Sequence, residues 1–218
     1  LLGRKGSGKT TLLRLCSGLL EPPSGNIYIN GMDVSKRENK KNILRILGYM
    51  GSQDGYFPRL QVMEYLEVAA HAQGLYGLAA RERCMEVLQM GHLERRAEQL
   101  VEEQSASVRR ELSFLRAILH RPRLLLLDDP FNGMESAQKL AMEELFAILA
   151  EDEVTVLMAS QSLPDAAHLC GEIGIIEKGR IISEGNLSDI LRQARSEALL
   201  YLRVCEAPEA AVAILRKE

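Results

Sequence analysis

Hydrophobic and polar positions divide the chain into short apolar runs separated by longer segments of helical periodicity. The apolar runs at residues 124–127, 155–159 and 173–176 predict strands, of which the first two are continuous enough to be buried on both faces. Residues 136–149 and 164–169, which lie between these strands, predict helices. Strands that alternate with helices predict an α/β fold with a mostly parallel sheet.

The N-terminal segments predict further elements of the same sheet. The two leucines that open the chain have the apolar character expected at the end of a strand. Residues 27–29 predict a short strand that ends at the turn signal Asn30-Gly31. The Lys/Arg-rich residues 35–42 predict a solvated surface, after which residues 43–50 return to apolar character.

Residues 58–119 replace the alternation of strands and helices with continuous helical periodicity. Apolar residues recur there at helical spacing and form three faces. These faces are Val62, Leu66, Ala69 and Ala70, then Cys84, Val87 and Leu88, and finally Val108, Leu112, Leu115 and Leu119. The pattern predicts an α/β core of residues 1–57 and 120–194 with an inserted helical subdomain of residues 58–119.

The C-terminal part of the chain continues the pattern of short elements. Lys178-Gly179 predicts a turn into a strand at residues 180–183, and a helix is predicted to begin at Asn186. Residues 199–205 predict a strand and residues 208–217 a helix. These last two elements predict a partial C-terminal extension, which covers residues 195–218.

Composition and charge exclude several classes of function. The 218 residues are 46% hydrophobic and 26% charged with a net charge of −3, so no broad basic surface predicts a nucleic-acid partner. No apolar run approaches the roughly 18 residues that a membrane-spanning helix needs, so we expect no direct membrane insertion. The cysteines are far apart and follow no metal-ligand spacing, which predicts reduced thiols in a cytosolic protein. They are Cys16, Cys84, Cys170 and Cys205.

The clearest chemical motif lies at the start of the chain and has the pattern G-x-x-x-x-G-K-T. Its residues are Gly3, Arg4, Lys5, Gly6, Ser7, Gly8, Lys9 and Thr10, and Thr11 continues it into a helix. Such a loop turns backbone N–H groups toward a polyphosphate, and the following helix adds the positive end of its dipole. Lys9 is predicted to reach the β- and γ-phosphates of ATP, and the Thr10 hydroxyl to bind Mg²⁺. The chain begins almost on this motif, so we expect the sequence to be N-terminally incomplete.

The order of the motifs along the chain carries a family resemblance. A phosphate loop is followed by a polar loop near Gln53, a helical insertion, a buried strand that ends in Asp128 and Asp129, and a further strand that ends near Gln161. In this order, over about residues 1–191, the chain resembles the ATP-binding cassette of ABC transporters. Residues 47–60 are especially similar to bacterial export-type cassettes.

The resemblance implies a function, partners and a location. In that family two cassettes sandwich two ATP molecules, each between the phosphate loop of one cassette and the signature sequence of the other. Closure of the sandwich drives an integral membrane permease. The resemblance therefore implies ATP and Mg²⁺ as cofactors, a second cassette and a permease as partners, and a cytoplasmic position at the inner face of the membrane.

Carried over to this sequence, the resemblance implies a magnesium site and a nucleotide-sensing loop. Asp128 matches the carboxylate that holds Mg²⁺ through water, together with Thr10. An ungapped match places Ser52 at the glutamine position of the loop. We prefer Gln53 as the catalytic and metal-binding glutamine, because a loop can absorb a shift of one residue.

The signature sequence departs from the family pattern. The family has Leu-Ser-Gly-Gly, whereas this chain has Gln-Ser-Ala-Ser at residues 104–107. Ser105 and Ser107 are candidate contacts of the γ-phosphate, although the loss of both glycines hinders close backbone approach. Alternatively, these serines cap the helix that follows.

The hydrolytic positions also depart from the pattern. The family has glutamate after the magnesium aspartate, and Asp129 stands there in this chain, with a carboxylate retracted by about 1.5 Å. A misplacement of roughly 1 Å can slow a reaction ~100-fold. Alternatively, Asp129 simply caps the following turn. Gln161 stands at the position of the family's histidine, where it can donate a hydrogen bond but carries no positive charge.

Three functions are compatible with these motifs. The first is the ATP-binding subunit of an ABC transporter, an exporter, that hydrolyses ATP slowly. The second is a degenerate cassette that binds ATP and acts as the regulatory or scaffolding half of a heterodimer. The third is a soluble cassette ATPase outside transport, which the absence of a coiled-coil insertion, a tandem cassette or a basic patch disfavours. We expect the first.

Overall fold

The computed structural model describes residues 1–53 and 55–196. The strand and helix predicted at 199–205 and 208–217 lie outside the described residues. The first half of the chain contains four helices among the described residues and a short hairpin before the first long strand. These elements are α1 (Lys9–Cys16), β1 (Tyr28–Ile29), β2 (Met32–Asp33), α2 (Arg37–Ile46), β3 (Leu47–Met50), α3 (Val62–Ala72) and α4 (Gly77–Met90).

The second half alternates helices and strands as the apolar runs predict. Pro122 follows the first of these helices and prevents its continuation. The elements are α5 (Ala106–Ile118), β4 (Leu124–Asp128), α6 (Ser136–Glu151), β5 (Thr155–Ala159), α7 (Leu163–Leu169), β6 (Ile173–Glu177), β7 (Arg180–Gly185) and α8 (Leu187–Ser196).

A mostly parallel sheet forms the centre of the fold. β4 pairs in parallel with β3 on one side and with β5 on the other. Leu2 bridges in parallel to Ser160, just after β5, and to Ile175 of β6. The start of the chain therefore lies between β5 and β6, and β7 adds an antiparallel edge. The prediction of an α/β fold with a mostly parallel sheet is confirmed.

Helix α2 is the main element that the hydrophobic pattern did not predict. Residues 35–42 are largely exposed, as expected of a solvated surface, but from Arg37 they form the first turns of a helix. Ile43 is its buried residue and packs in a cluster with Leu13 and Leu126. One buried residue in ten gives too little periodicity to predict a helix from sequence.

The three predicted helical faces of residues 58–119 correspond to α3, α4 and α5. Their buried residues share one apolar cluster with Leu125 and Leu127 of β4 and with helix α6. Phe114 of α5 packs against Phe146 of α6 with 5.4 Å between ring centroids. The prediction that residues 58–119 are a separate subdomain stays a prediction.

A buried carboxyl group in α5 makes the stability of the protein depend on pH. Glu111 is 1% exposed, and its Oε1 has no hydrogen-bond partner in the described part of the chain. Burial raises the pKa of Glu111 from its ordinary 4.5 to about 7, and Arg96 opposes part of this rise. The native state therefore holds a proton that the unfolded chain releases above its ordinary pKa.

We expect the free energy of unfolding to fall by about 3 kcal/mol as the pH rises from 4.5 through 7 because Glu111 ionises. Glu111→Gln should remove this loss and leave the variant more stable than wild type at pH 8. Urea unfolding at pH 5 and pH 8 measures the difference. Glu102→Gln, at an exposed position in the same region, is the matched control and should behave as wild type. A wild-type stability that is equal at both pH values would contradict the assignment.

Candidate nucleotide-binding site

The glycines of the predicted phosphate loop are required by close contacts and by backbone conformation. A Cβ atom on Gly3 would lie 2.5 Å from the carbonyl oxygen of Ile176 in β6. Gly8 has a φ of 109°, and a Cβ there would lie 3.3 Å from the Cα of Gly179. Gly6 also has a positive φ, of 82°. A side chain on Gly3 would collide with β6, and Gly6 and Gly8 have a positive φ that residues with a side chain rarely adopt.

The turn between β6 and β7 supports the loop from one side. The backbone N–H of Gly179 donates to the carbonyl oxygen of Ser7 at 2.8 Å. Ser7 is buried, whereas Arg4, Lys5 and Gly6 are exposed. The loop is therefore fixed at one end and open to solvent at its tip, where a ligand can approach.

Lys9 places its ammonium group inside the loop. The residue is 5% exposed, and its Nζ donates to the carbonyl oxygens of Gly3 at 2.6 Å and Arg4 at 3.0 Å. An ammonium group has three donors, so a phosphate oxygen can accept from the third. Thr10 and Thr11 follow in the first turn of α1, where Thr10 is half-buried and Thr11 exposed.

Asp128 is a buried carboxylate at the carboxyl end of β4. It is 0% exposed, and neither carboxylate oxygen accepts a hydrogen bond from the residues that the structure describes. A buried carboxylate without a partner is costly, and a bound cation removes that cost. Asp128 therefore fits a divalent metal ion, and the hydroxyl of Thr10 is of the hard oxygen type that Mg²⁺ prefers.

Asp129 and Gln161 form a hydrogen-bonded pair across the ends of β4 and β5. The backbone N–H of Gln161 donates to Oδ1 of Asp129 at 3.2 Å, and its side-chain Nε2 donates to Oδ2 at 3.0 Å. Asp129 has a φ of 47°, in the left-handed region. Its carboxylate accepts hydrogen bonds from Gln161, the residue at the predicted switch position, and so does not cap the following turn.

The predicted signature serines make contacts within the chain. Ser105 caps α5, because its Oγ accepts from the backbone N–H of Val108 at 3.3 Å. Ser107 is 2% exposed. Its Oγ accepts from the backbone N–H of Glu135 at 2.9 Å and donates to Oε1 of Gln138 at 3.2 Å. A phosphate contact by either serine stays a prediction, and for Ser107 it requires the loss of one of these bonds.

The glutamine loop lies beside these groups. Ser52 and Gln53 are adjacent and both exposed, and the loop that carries them follows β3 directly. Exposure leaves either side chain free to reach a ligand at the carboxyl edge of the sheet. The role of Gln53 in catalysis and metal binding stays a prediction.

Comparison with known proteins identifies the family. The family model described as "ABC transporter" matches residues 1–132. The chain belongs to the ABC transporter family. The most similar curated proteins in this family include the bacitracin transport ATP-binding protein BcrA of Bacillus licheniformis, 35% identical over 184 residues. Another is the linearmycin resistance ATP-binding protein LnrL of Bacillus subtilis, 30% identical over 216 residues.

These alignments cover most of this ABC cassette but only part of each relative. They include 84% of the chain and 58% of BcrA, and 99% of the chain and 69% of LnrL. Within residues 1–53 and 55–196, no helix combines the length and hydropathy that crossing a membrane requires.

Solved structures of ABC proteins have the same fold. One is an ATP-binding subunit of an ABC transporter, with a TM-score of 0.79 and 27% identity, which covers 91% of this chain and 82% of that chain. Another is a dimeric ATP-binding cassette in a post-hydrolysis state bound to ADP and Pi. It has a TM-score of 0.77 and 25% identity, with coverages of 85% and 83%. The prediction of a P-loop fold is confirmed.

Sequence reasoning missed one buried residue of this ABC cassette that contacts the site. Arg110 of α5 is 3% exposed and donates to backbone carbonyl oxygens on both sides of Asp129. The apolar face that runs from Val108 to Leu115 gives no signal for this residue, because Arg110 lies about 200° around the helix from Val108, on the opposite side.

Proposed function

We propose that this chain is the ATP-binding subunit of an export-type ABC transporter, which binds MgATP and hydrolyses it slowly. ATP binding is supported by the glycine-dependent loop and by the position of Lys9 within it. The family match supports the same function, and relatives named for bacitracin transport and linearmycin resistance support transport.

Each binding residue has a distinct part in this proposal. Backbone N–H groups of the loop at residues 3–10 would donate to the phosphates, and Lys9 would donate to phosphate oxygens through its ammonium group. Thr10 and Asp128 would hold Mg²⁺, with Gln53 as a further ligand from the loop after β3. The ion would neutralise phosphate charge as the γ-phosphoryl group leaves.

Slow hydrolysis is supported by one observation above all, the hydrogen-bonded pair of Asp129 and Gln161. Both carboxylate oxygens of Asp129 accept hydrogen bonds from Gln161, at 3.2 and 3.0 Å. These bonds make the carboxylate a weaker base for a proton of the attacking water. Aspartate is also one methylene shorter than the family's glutamate. Gln161 has no positive charge with which to stabilise the γ-phosphate in the transition state.

Assembly and location follow from the same proposal. The dimeric arrangement of a structural neighbour bound to ADP and Pi supports a sandwich of two cassettes. We propose that the chain pairs with a second cassette and is held at the cytoplasmic face of the membrane by an integral permease. Its net charge of −3 gives no support to a nucleic-acid partner or to a soluble cassette outside transport.

A second function is favoured by the contacts of Ser107. Its hydroxyl is already engaged by Glu135 and Gln138 at the position where the family has a glycine, so this chain offers a weak signature half-site. A cassette with a weak half-site can serve as the regulatory or scaffolding half of a heterodimer. In that case it binds MgATP, and the partner cassette carries out the useful hydrolysis.

Titration calorimetry combined with a turnover assay tests the proposed function. The full-length protein, purified with and without its membrane partner, should bind MgATP with micromolar or better affinity and turn it over slowly. Slow turnover that rises with the membrane partner supports the transporter subunit. Tight binding with no turnover in either sample supports the regulatory cassette, and absence of MgATP binding would overturn both.

A further inference from the structure

One arginine of α5 donates hydrogen bonds to the backbone carbonyl groups around Asp128 and Asp129. Nη2 of Arg110 donates to the carbonyl oxygens of Asp128 at 2.6 Å and Asp129 at 2.8 Å. Nε donates to the carbonyl oxygen of Pro130 at 3.2 Å. The guanidinium is therefore bonded to three consecutive carbonyls at the end of β4.

These bonds bear directly on the conformation of Asp129. The carbonyls of Asp128 and Asp129 belong to the peptide groups on either side of the Asp129 Cα atom. A φ of 47° is unfavourable for a residue with a side chain. Arg110 holds both neighbouring peptide groups, and so it fixes the direction in which the Asp129 side chain leaves the backbone.

The same guanidinium reaches the glutamine loop. Nη1 of Arg110 donates to the carbonyl oxygen of Gly51 at 2.8 Å, two residues before Gln53. On the other side of Gln53, Nη1 of Arg116 donates to the carbonyl oxygen of Gly55 at 3.2 Å. Helix α5 is therefore hydrogen-bonded to this loop at two points. The N-terminus of the same helix carries the signature residues.

The chemistry of the side chain suits this task. A guanidinium is a planar fork of five donors, and it can serve several carbonyls in fixed directions at once. A lysine has a single nitrogen on a flexible stem and cannot reproduce that fork. Glutamine has only two donors and no charge, so it cannot satisfy the four carbonyls that Arg110 contacts.

We infer that Arg110 is a positioning residue. It fixes the positions of Asp128 and Asp129 relative to the glutamine loop and to the N-terminal, signature end of α5. This role rests on the proposed binding of MgATP. Arg110 touches neither phosphate nor metal in this role. It acts through the backbone that carries the metal ligand, so its loss should weaken the contribution of Mg²⁺ to ATP binding more than the contribution of the phosphate loop.

The test measures the ATP affinity of the full-length protein with and without Mg²⁺. The readout is the ratio of the affinity with Mg²⁺ to the affinity without it. Arg110→Gln should lower this ratio at least 5-fold and leave the metal-free affinity within about 2-fold of wild type. The matched control is Arg83→Gln. Arg83 donates to the carbonyl oxygens of Leu119 at 2.7 Å and Ile118 at 3.1 Å, at the far end of α5.

Arg83→Gln removes carbonyl bonds of the same kind and should lower the melting temperature while leaving the ratio at its wild-type value. An Arg110→Gln ratio equal to wild type, or an equal loss in Arg83→Gln, would overturn the inference. If Arg110→Gln does not fold, Arg110→Lys decides: a lowered ratio supports the role, and a wild-type ratio overturns it. Wild-type protein that binds no ATP at all would instead count against the proposed function.

Discussion

Replacing Asp129 by glutamate together with Gln161 by histidine is expected to raise ATP turnover about 100-fold. Glutamate extends the carboxylate by about 1.5 Å toward the position where water attacks, and a correction of roughly 1 Å can be worth ~100-fold in rate. Histidine replaces the side-chain amide that donates to Oδ2 of Asp129, while the backbone N–H of residue 161 still donates to Oδ1. Histidine can also carry positive charge beside the γ-phosphate.

The two single variants should each gain much less than the double variant, because Asp129 and Gln161 are in direct contact and act as a unit. Steady-state phosphate release at saturating MgATP measures the effect. Asp128→Asn in the same double background should abolish the gain, since it removes the proposed metal ligand. Brisk turnover by the wild-type protein, or no gain in the double variant, would show that this pair does not limit hydrolysis.

Lys9→Ala is expected to weaken MgATP binding about 100-fold. The substitution removes a buried ammonium group, and hydrogen bonds from a charged donor contribute about 1.5–3 kcal/mol each. A loss of about 3 kcal/mol corresponds to a factor of about 100 in affinity. Titration calorimetry with a non-hydrolysable ATP analogue measures this change without interference from turnover.

Lys40→Ala is the control for this experiment, because it removes the same charge from an exposed position of α2. We expect wild-type affinity from it. Circular dichroism should show that Lys9→Ala remains folded, although its ammonium no longer bonds the carbonyls of Gly3 and Arg4. An unchanged affinity in folded Lys9→Ala would mean that the loop does not bind the triphosphate.

The elements that sequence predicted well are those with strong local signals. The leucines at residues 125–127 of β4 are buried as predicted. The predicted apolar faces of α3, α4 and α5 are buried too, except for Ala69, which is partly buried. Helix α2 was missed because its exposed, Lys/Arg-rich turns carry little periodicity. The phosphate loop was predicted from residue type alone, and the structure gives each of its glycines a reason: a close contact at Gly3 and a positive φ at Gly6 and Gly8.

The parts of the site that sequence could not predict depend on contacts between distant segments. Asp129 and Gln161 are 32 positions apart, and their direct pairing follows from the parallel register of β4 and β5. Arg110 bonds the carbonyl oxygen of Gly51, 59 positions away. Backbone carbonyls are not visible in a residue pattern, so a side chain that binds several of them carries no sequence signature.

The identity of the nucleotide that stays bound is the most direct test of slow ATP hydrolysis by this cassette. Full-length wild-type protein is incubated with radiolabelled MgATP, separated from free nucleotide, and sampled over time, and the bound nucleotide is extracted and resolved as ATP or ADP. We expect the wild-type protein to retain intact ATP over many minutes, and the Asp129→Glu, Gln161→His double variant to convert it to ADP. Rapid conversion to ADP by the wild-type protein, or a failure to retain any nucleotide, would contradict this expectation.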